Sequence, residues 1–185
     1  MDRLTIFVGP NGAGKRNIID ALAFARDCLA DSIELAFKNR GGIQSVRTSS
    51  NGHPAKIGIG IDFVLPDGRE ANYAFTLSTR GHDSFEVAHE KCRISSPDPF
   101  RPFLFERKGD QIIHEIRNIH PKLQKDRLLL FAASGTEDFR PAYDFLTNMH
   151  FYSIMPRSLR ELQEPDAGKY LKPDGSNAAS ILHKL

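Results

Sequence analysis

The stretch GPNGAGKRN, residues 9–17, holds the residue types and spacing in this chain best suited to chemistry. Gly9, Gly14 and Lys15 fit the pattern G-x-x-x-x-G-K, with Pro10, Asn11, Gly12 and Ala13 between them. Glycines at such places let consecutive backbone N–H groups point inward at phosphate oxygens. A lysine ammonium reaches the outer phosphates, and the start of a following helix adds partial positive charge. Asn11 and Gly12 are expected to line the loop, and Asn17 to hold the first helical turn. The plain alternative is a glycine-rich turn with no ligand.

Arg16 stands where such a loop normally has Ser or Thr, whose hydroxyl binds Mg²⁺ and so helps neutralise the outer phosphates. A guanidinium has five donors and no acceptor, so it cannot ligate a cation. Three readings stay open. Arg16 points outward and deletes a metal ligand, or it reaches the phosphates and supplies some of the metal's charge, or it is a lesion that abolishes turnover. All three predict weak or absent hydrolysis, and the second preserves tight nucleotide binding.

A phosphate loop must sit between a strand and a helix, and the flanking residues have that pattern. RLTIFVG, 3–9, is a β-rich apolar run and reads as a buried strand. Residues 15–38 have helical period, with Ile18, Leu22, Ala25, Leu29, Ile33 and Ala36 on one face, and Gly41 and Gly42 end the helix. Residues 45–55 read as a loop. The period then becomes two: Ile57, Ile59, Ile61, Phe63 and Leu65 alternate, PDG makes a turn, and Tyr73, Phe75 and Leu77 alternate again, predicting a β-hairpin. A third strand is expected over 84–94, a fourth over 103–107, and a turn at 109–110 into QIIHEI. TEDFRPAYDFLTNM reads as helical with Thr136 as its cap, HFYSI (150–154) as a short strand, PRSLREL as a helical turn and SNAASILHKL as the start of a helix. The fold class is therefore α/β, a phosphate-loop core with an antiparallel β-subdomain. It divides into 1–44 (strand, loop and helix), 55–117 (antiparallel β-subdomain) and 118–185 (helical and strand segment), taken together as one incomplete domain.

Bulk composition narrows the function classes. With 185 residues, 40% hydrophobic and 26% charged, the chain reads as a globular domain that buries roughly 70% of its unfolded surface. A net charge of +2 is too mild by itself to argue for nucleic acid or an acidic membrane. The longest strongly apolar run beyond the first residues, LLLFAA at 128–133, is far short of a membrane span. No signal-peptide pattern is visible, and Cys28 and Cys92 are isolated, so the expectation is a cytoplasmic chain in a reducing compartment with two buried thiols.

GPNGAGK followed by NIIDALAFARD resembles the ATPase heads of the SMC and RecF-like branch of ABC-type ATPases, and is most similar to the AAA family ATPases of that branch, a group with members in phage defence and DNA repair. RGGIQSVR, FRPAYDFLTNMHFYSIMPRSLREL and DGSNAASIL resemble further blocks of that group, so the likeness covers nearly the whole chain. It implies ATP with Mg²⁺ as ligand, sandwiched between two heads. It implies Gly9, Pro10, Asn11, Gly12, Ala13, Gly14, Lys15, Arg16 and Asn17 as the loop, and Gln163 as a candidate for the glutamine that meets Mg²⁺ and the attacking water. A surface glutamine is the competing reading of Gln163. The family also uses an apolar strand ending in Asp-Glu and a Ser-Gly signature motif. LLLFAASGTED has the apolar run but its acids come too late, and AASGTED is not that signature. The resemblance therefore implies the N-terminal part of a head, truncated at both ends and hydrolysis-deficient alone. As a partner it implies a second head, in a homo- or hetero-oligomer. Missing flanking strands would leave an open sheet edge that invites pairing, which supports a second reading as a non-catalytic assembly module.

The remaining constellations are weaker. Seven histidines (53, 82, 89, 114, 120, 150 and 183) fall at no ligand spacing. His120, Lys122, Lys125 and Arg127 form a basic cluster that could touch nucleic-acid phosphates, though Asp126 interrupts it and a solvated face is the simpler reading. Arg157 and Arg160 could contact phosphates or a partner subunit, and salt bridges to Glu161 or Glu164 are the preferred reading. Thirteen phenylalanines at strand positions read as core.

Overall fold

The computed structural model describes residues 5–10, 12–46, 56–80, 84–98, 100–114, 116, 121–154 and 156–184. The chain divides into two compact units, Met1–Met149 and His150–Leu185. In the first, helices α1 (Lys15–Ala30), α2 (Ile33–Lys38) and α3 (Ile43–Val46) precede strands β1 (Lys56–Val64), β2 (Glu70–Arg80), β3 (Ser84–Ile94), β4 (Phe103–Lys108) and β5 (Gln111–His114), followed by α4 (Leu129–Ala133) and α5 (Arg140–Thr147). The second has α6 (Ala178–Leu182). The fold is mixed α/β, and among the described residues five strands form an antiparallel meander in the order β1-β2-β3-β4-β5.

Period two builds the sheet. Ile57, Ile59, Ile61 and Phe63 of β1 lie opposite Leu77, Phe75, Tyr73 and Ala71 of β2, so both strands turn their apolar set to one face. Pro66 and Gly68 make the joining turn: Gly68 N–H donates to Leu65 O at 2.9 Å, and Gly68 sits at φ 86°, where a side chain is strained. The β2–β3 register shifts between Thr76 and Leu77, which keeps Val87 and Glu90 both inward despite their odd spacing. Helices cover this face, and rings carry much of the contact: Phe63 stacks on Phe145 at 4.8 Å, Phe105 meets Phe139 at 5.2 Å, and Phe37 bridges Phe24 and Phe85 at 5.0 and 5.2 Å. Phe24, Phe37, Phe75, Phe105 and Phe139 are buried, but Phe7, Phe100 and Phe131 are exposed, so the reading of all thirteen phenylalanines as core is corrected.

Several expectations are corrected. The helix expected over 15–38 is two helices. Ser32 adopts an extended conformation, and its Oγ accepts the Leu35 N–H at 3.1 Å, so it starts α2 instead of continuing α1. The apolar stripe holds from Ala25 onward, with Ala25, Leu29, Ile33 and Ala36 buried, but Ile18 is 40% exposed. Residues 5–10 do not form the expected buried strand: they belong to no helix or strand, and Ile6 is 72% and Val8 89% exposed. The sheet pairs only strands that follow one another in the chain, β1 to β5 in order, and no described strand pairs with residues 5–10. LLLFAA is helix α4. Pro141 sits in the first turn of α5, where its missing N–H costs nothing, and Thr136 does not cap that helix. Its Oγ1 instead donates to Ala133 O at 2.8 Å. HFYSI forms no strand, and Ser153 N–H donates to Pro173 O at 2.7 Å. Residues 45 and 46 belong to α3, and the rest of the loop expected to residue 55 lies outside the described residues.

Candidate functional site: the glycine loop before α1

The loop is shaped by backbone conformations that favour glycine. Gly12 has φ 84° and Gly14 has φ 76°, and a Cβ at Gly12 would meet nothing within 4 Å, so the requirement there is one of conformation and not of space. Ala13 N–H donates to Pro10 O at 3.3 Å, closing a tight turn, and Asn17 N–H donates to Gly14 O at 3.0 Å as α1 begins. Lys15 is the first residue of α1, and its Nζ turns back into the loop to donate to Gly9 O and Pro10 O, each at 2.7 Å. The ammonium therefore sits over the loop instead of extending into solvent. No side chain caps the N-terminus of α1, and its first turn has no acidic residue to compete with an anion. The described residues of the loop thus bring together two glycines at positive φ, a lysine ammonium held by loop carbonyls and an uncapped helix start. Asn11 lies outside the described residues.

The position after the lysine offers Mg²⁺ no ligand. Arg16, exposed in the first turn of α1, has no atom that accepts a cation. Among the described residues, no group of three or more His, Cys, Asp or Glu is arranged to hold a metal ion.

The other sequence candidates are placed as follows. Gln163 has its amide engaged with its own unit: Nε2 donates to Ser158 O (2.9 Å) and Gly175 O (3.2 Å), and Oε1 accepts the Ala179 N–H (2.8 Å). Arg157 pairs with Glu161 at 2.8 Å, as expected. Within the basic cluster, Lys125 lies 3.7 Å from Asp110, and Arg127 donates to Asp31 O at 2.8 Å while stacking over Phe131; His120 lies outside the described residues. Cys28 and Cys92 are buried free thiols, and burial pushes both pKa values up, which makes them poor nucleophiles.

Sequence reasoning missed a buried polar latch on the inner sheet face. Glu90, fully buried, accepts the N–H groups of Leu129 (2.5 Å) and Leu130 (2.8 Å) at the start of α4 and the Tyr73 hydroxyl (3.0 Å). Arg107, its cross-strand neighbour, donates to Gln124 O and Arg127 O at 3.2 and 3.0 Å. Together they clamp residues 124–130 onto the sheet from both polarities of backbone. Burial raises the Glu90 pKa to about 7, against the lowering effect of its three donors and of Arg107. Parity along β3 was the available signal, since a glutamate shares the inward face with Cys92 and Ile94. In the second unit, Asn177 plays a comparable part: its amide bonds to Asp166 Oδ2 (2.6 Å), Tyr170 O (2.9 Å) and the Lys172 N–H (2.7 Å).

A glycine loop closed by a lysine and opening an amphipathic helix defines the P-loop class of nucleotide-binding domains. Over residues 4–178 the sequence matches the family described as "AAA domain, putative AbiEii toxin, Type IV TA system", and the chain belongs to that family. Its class is thus that of ATP-binding, P-loop ATPase domains, although an antiparallel sheet is not typical of them. No curated protein and no solved structure gives a significant match. Among the described residues no helix is long and apolar enough to cross a membrane.

Proposed function

We propose that this chain is an ATP-binding module of the SMC and RecF-like branch of ABC-type ATPases, one that holds nucleotide at residues 9–17 and does not complete hydrolysis alone. The observation that carries it is the loop itself, with Gly12 and Gly14 at positive φ and the Lys15 ammonium turned over the loop, on an uncapped helix start. In this role the loop amides and Lys15 hold the phosphates, and the first turn of α1 faces them with its partial positive charge. When bound, ATP supplies the phosphoanhydride whose cleavage drives heads of this kind. Nothing within residues 1–185 matches the acidic strand end or signature motif that polarises water and senses a second nucleotide. The test is fluorescence anisotropy of a labelled ATP, on the chain and on Lys15→Ala. Saturable binding that weakens at least tenfold in Lys15→Ala supports the proposal. Equal anisotropy in both forms overturns it.

A second reading, an assembly module that pairs with another chain, is favoured by one observation. Residues 5–10 join no strand, and Ile6 and Val8 present apolar side chains to solvent. Sedimentation of the chain and of Ile6→Lys/Val8→Lys distinguishes them. Self-association abolished by the double substitution supports assembly through this segment, and a monomer in both forms counts against it as a self-assembly.

A further inference from the structure

We infer that β1 is a self-pairing edge, along which two copies of this chain join antiparallel into one continuous sheet, five strands from each. The pairing is independent of nucleotide binding at residues 9–17 and of any assembly through residues 5–10. The first observation is the edge itself. β1 ends the sheet on one side and, among the described residues, has β2 as its sole strand partner. The Leu65 N–H donates to Arg69 O at 2.8 Å, and hydrogen-bonded and non-bonded pairs alternate along an antiparallel ladder. Phe63, Ile61, Ile59 and Ile57 therefore bond to β2, and the N–H and C=O groups of Lys56, Gly58, Gly60, Asp62 and Val64 point outward from the sheet. The second is the lack of protection. Edge strands are commonly kept short, bulged or interrupted by proline. The opposite edge, β5, has four residues and a shifted register against β4. β1 has nine residues, no proline and an unbroken register with β2. The third is self-complementarity. Pairing two copies about Ile59 sets Gly58 opposite Gly60 and Lys56 opposite Asp62 on both sides of the two-fold axis, with about eight backbone hydrogen bonds between the strands. Lys56 is exposed and makes no ion pair among the described residues, and Asp62 uses Oδ1 to accept from Asn72 Nδ2 at 2.7 Å, which leaves Oδ2 for the lysine. On the inner face Ile59 meets Ile59 of the second copy and Ile57 meets its Ile61. These side chains pack on the core but stay only partly buried along the open edge, so pairing removes further apolar surface from water.

The experiment is sedimentation equilibrium over a series of concentrations, without nucleotide, on the chain, Lys56→Asp, Asp62→Lys and the double substitution Lys56→Asp/Asp62→Lys. Thermal melts confirm that each variant is folded. Lys56→Asp sets two carboxylates opposite each other across the two-fold, Asp62→Lys sets two ammonium groups opposite, and the double substitution exchanges the signs and restores both pairs. A dimer is expected whose dissociation constant rises about tenfold or more in each single substitution and returns to within about threefold of the chain's own in the double. Gly60→Pro removes an outward N–H and no bond to β2, and is expected to weaken the dimer in the same way. Ile6→Lys/Val8→Lys is expected to leave it unchanged. A chain that is monomeric at every concentration, a dimer indifferent to both single substitutions, or one that the double substitution does not recover overturns the inference. A dimer lost in Ile6→Lys/Val8→Lys and kept in the β1 variants also overturns it, and assigns self-association to residues 5–10.

Discussion

Glu90→Gln is a near-isosteric change at the most enclosed charge in the molecule, and its consequences follow from three distances. In the native latch Oε1 accepts from Leu130 N–H and Tyr73 Oη, and Oε2 accepts from Leu129 N–H. A glutamine has one acceptor oxygen and one donor amide, so at least one of these three donors must face an NH₂ group. The cost of an unsatisfied buried donor is roughly 1–3 kcal/mol. The pH dependence is a sharper test. Burial raises the folded pKa of Glu90 from its ordinary 4.5 to about 7. Between those values the unfolded chain is ionised at this residue while the folded chain holds the proton, so the native state loses stability as pH rises from about 4.5 to about 7 and is level above. That interval is roughly 2.5 pH units, about 3 kcal/mol at roughly 1.36 kcal/mol per unit, an order-of-magnitude figure. Urea unfolding at pH 5, 6, 7 and 8 measures it. The native chain is expected to lose stability across this range relative to Glu90→Gln, in which this contribution to the slope is absent. Parallel stability curves for the two proteins would refute the assignment of a protonatable latch at Glu90.

Three further substitutions probe separate parts of the molecule. Gly12→Ala meets open space but must hold φ 84°, a strain of about 1–2 kcal/mol; ATP affinity is expected to fall several-fold in an anisotropy titration, and the melting temperature by a few degrees. Leu130→Ala empties a fully buried position at the start of α4 and is expected to cost about 2–5 kcal/mol in urea unfolding. Gln163→Ala removes the acceptor of the Ala179 N–H and the donor to Ser158 O and Gly175 O, so hydrogen exchange is expected to speed at Ala179 while the amides of β1–β5 keep their protection.

The sheet was legible in the sequence because its signal is local. Alternation from Ile57 to Phe63, the turn at Pro66–Gly68 and the run from Tyr73 to Leu77 define two paired strands without reference to anything distant. The glycine loop was legible for the same reason, since GPNGAGK needs particular backbone conformations at Gly12 and Gly14 and only glycine adopts them at low cost. What failed depended on partners. RLTIFVG has the composition of a buried strand, but composition cannot supply the neighbour it must pair with, and Ile6 and Val8 remain in solvent. LLLFAA could be strand or helix by period alone, and the choice falls to Glu90, 39 residues from Leu129 in sequence, whose carboxylate receives the first N–H groups of α4. The break at Ser32 was visible as a capping residue followed by Ile33, but the longer apolar stripe masked it.

Backbone amide NMR of the chain during titration with ATP tests, residue by residue, the proposal that residues 9–17 bind a triphosphate. The account predicts the largest shifts at the amides of Gly12, Ala13, Gly14, Lys15 and Arg16, saturating together and vanishing in Lys15→Ala. Shifts that leave these amides unmoved while others respond, or no response at saturating ATP, would contradict it.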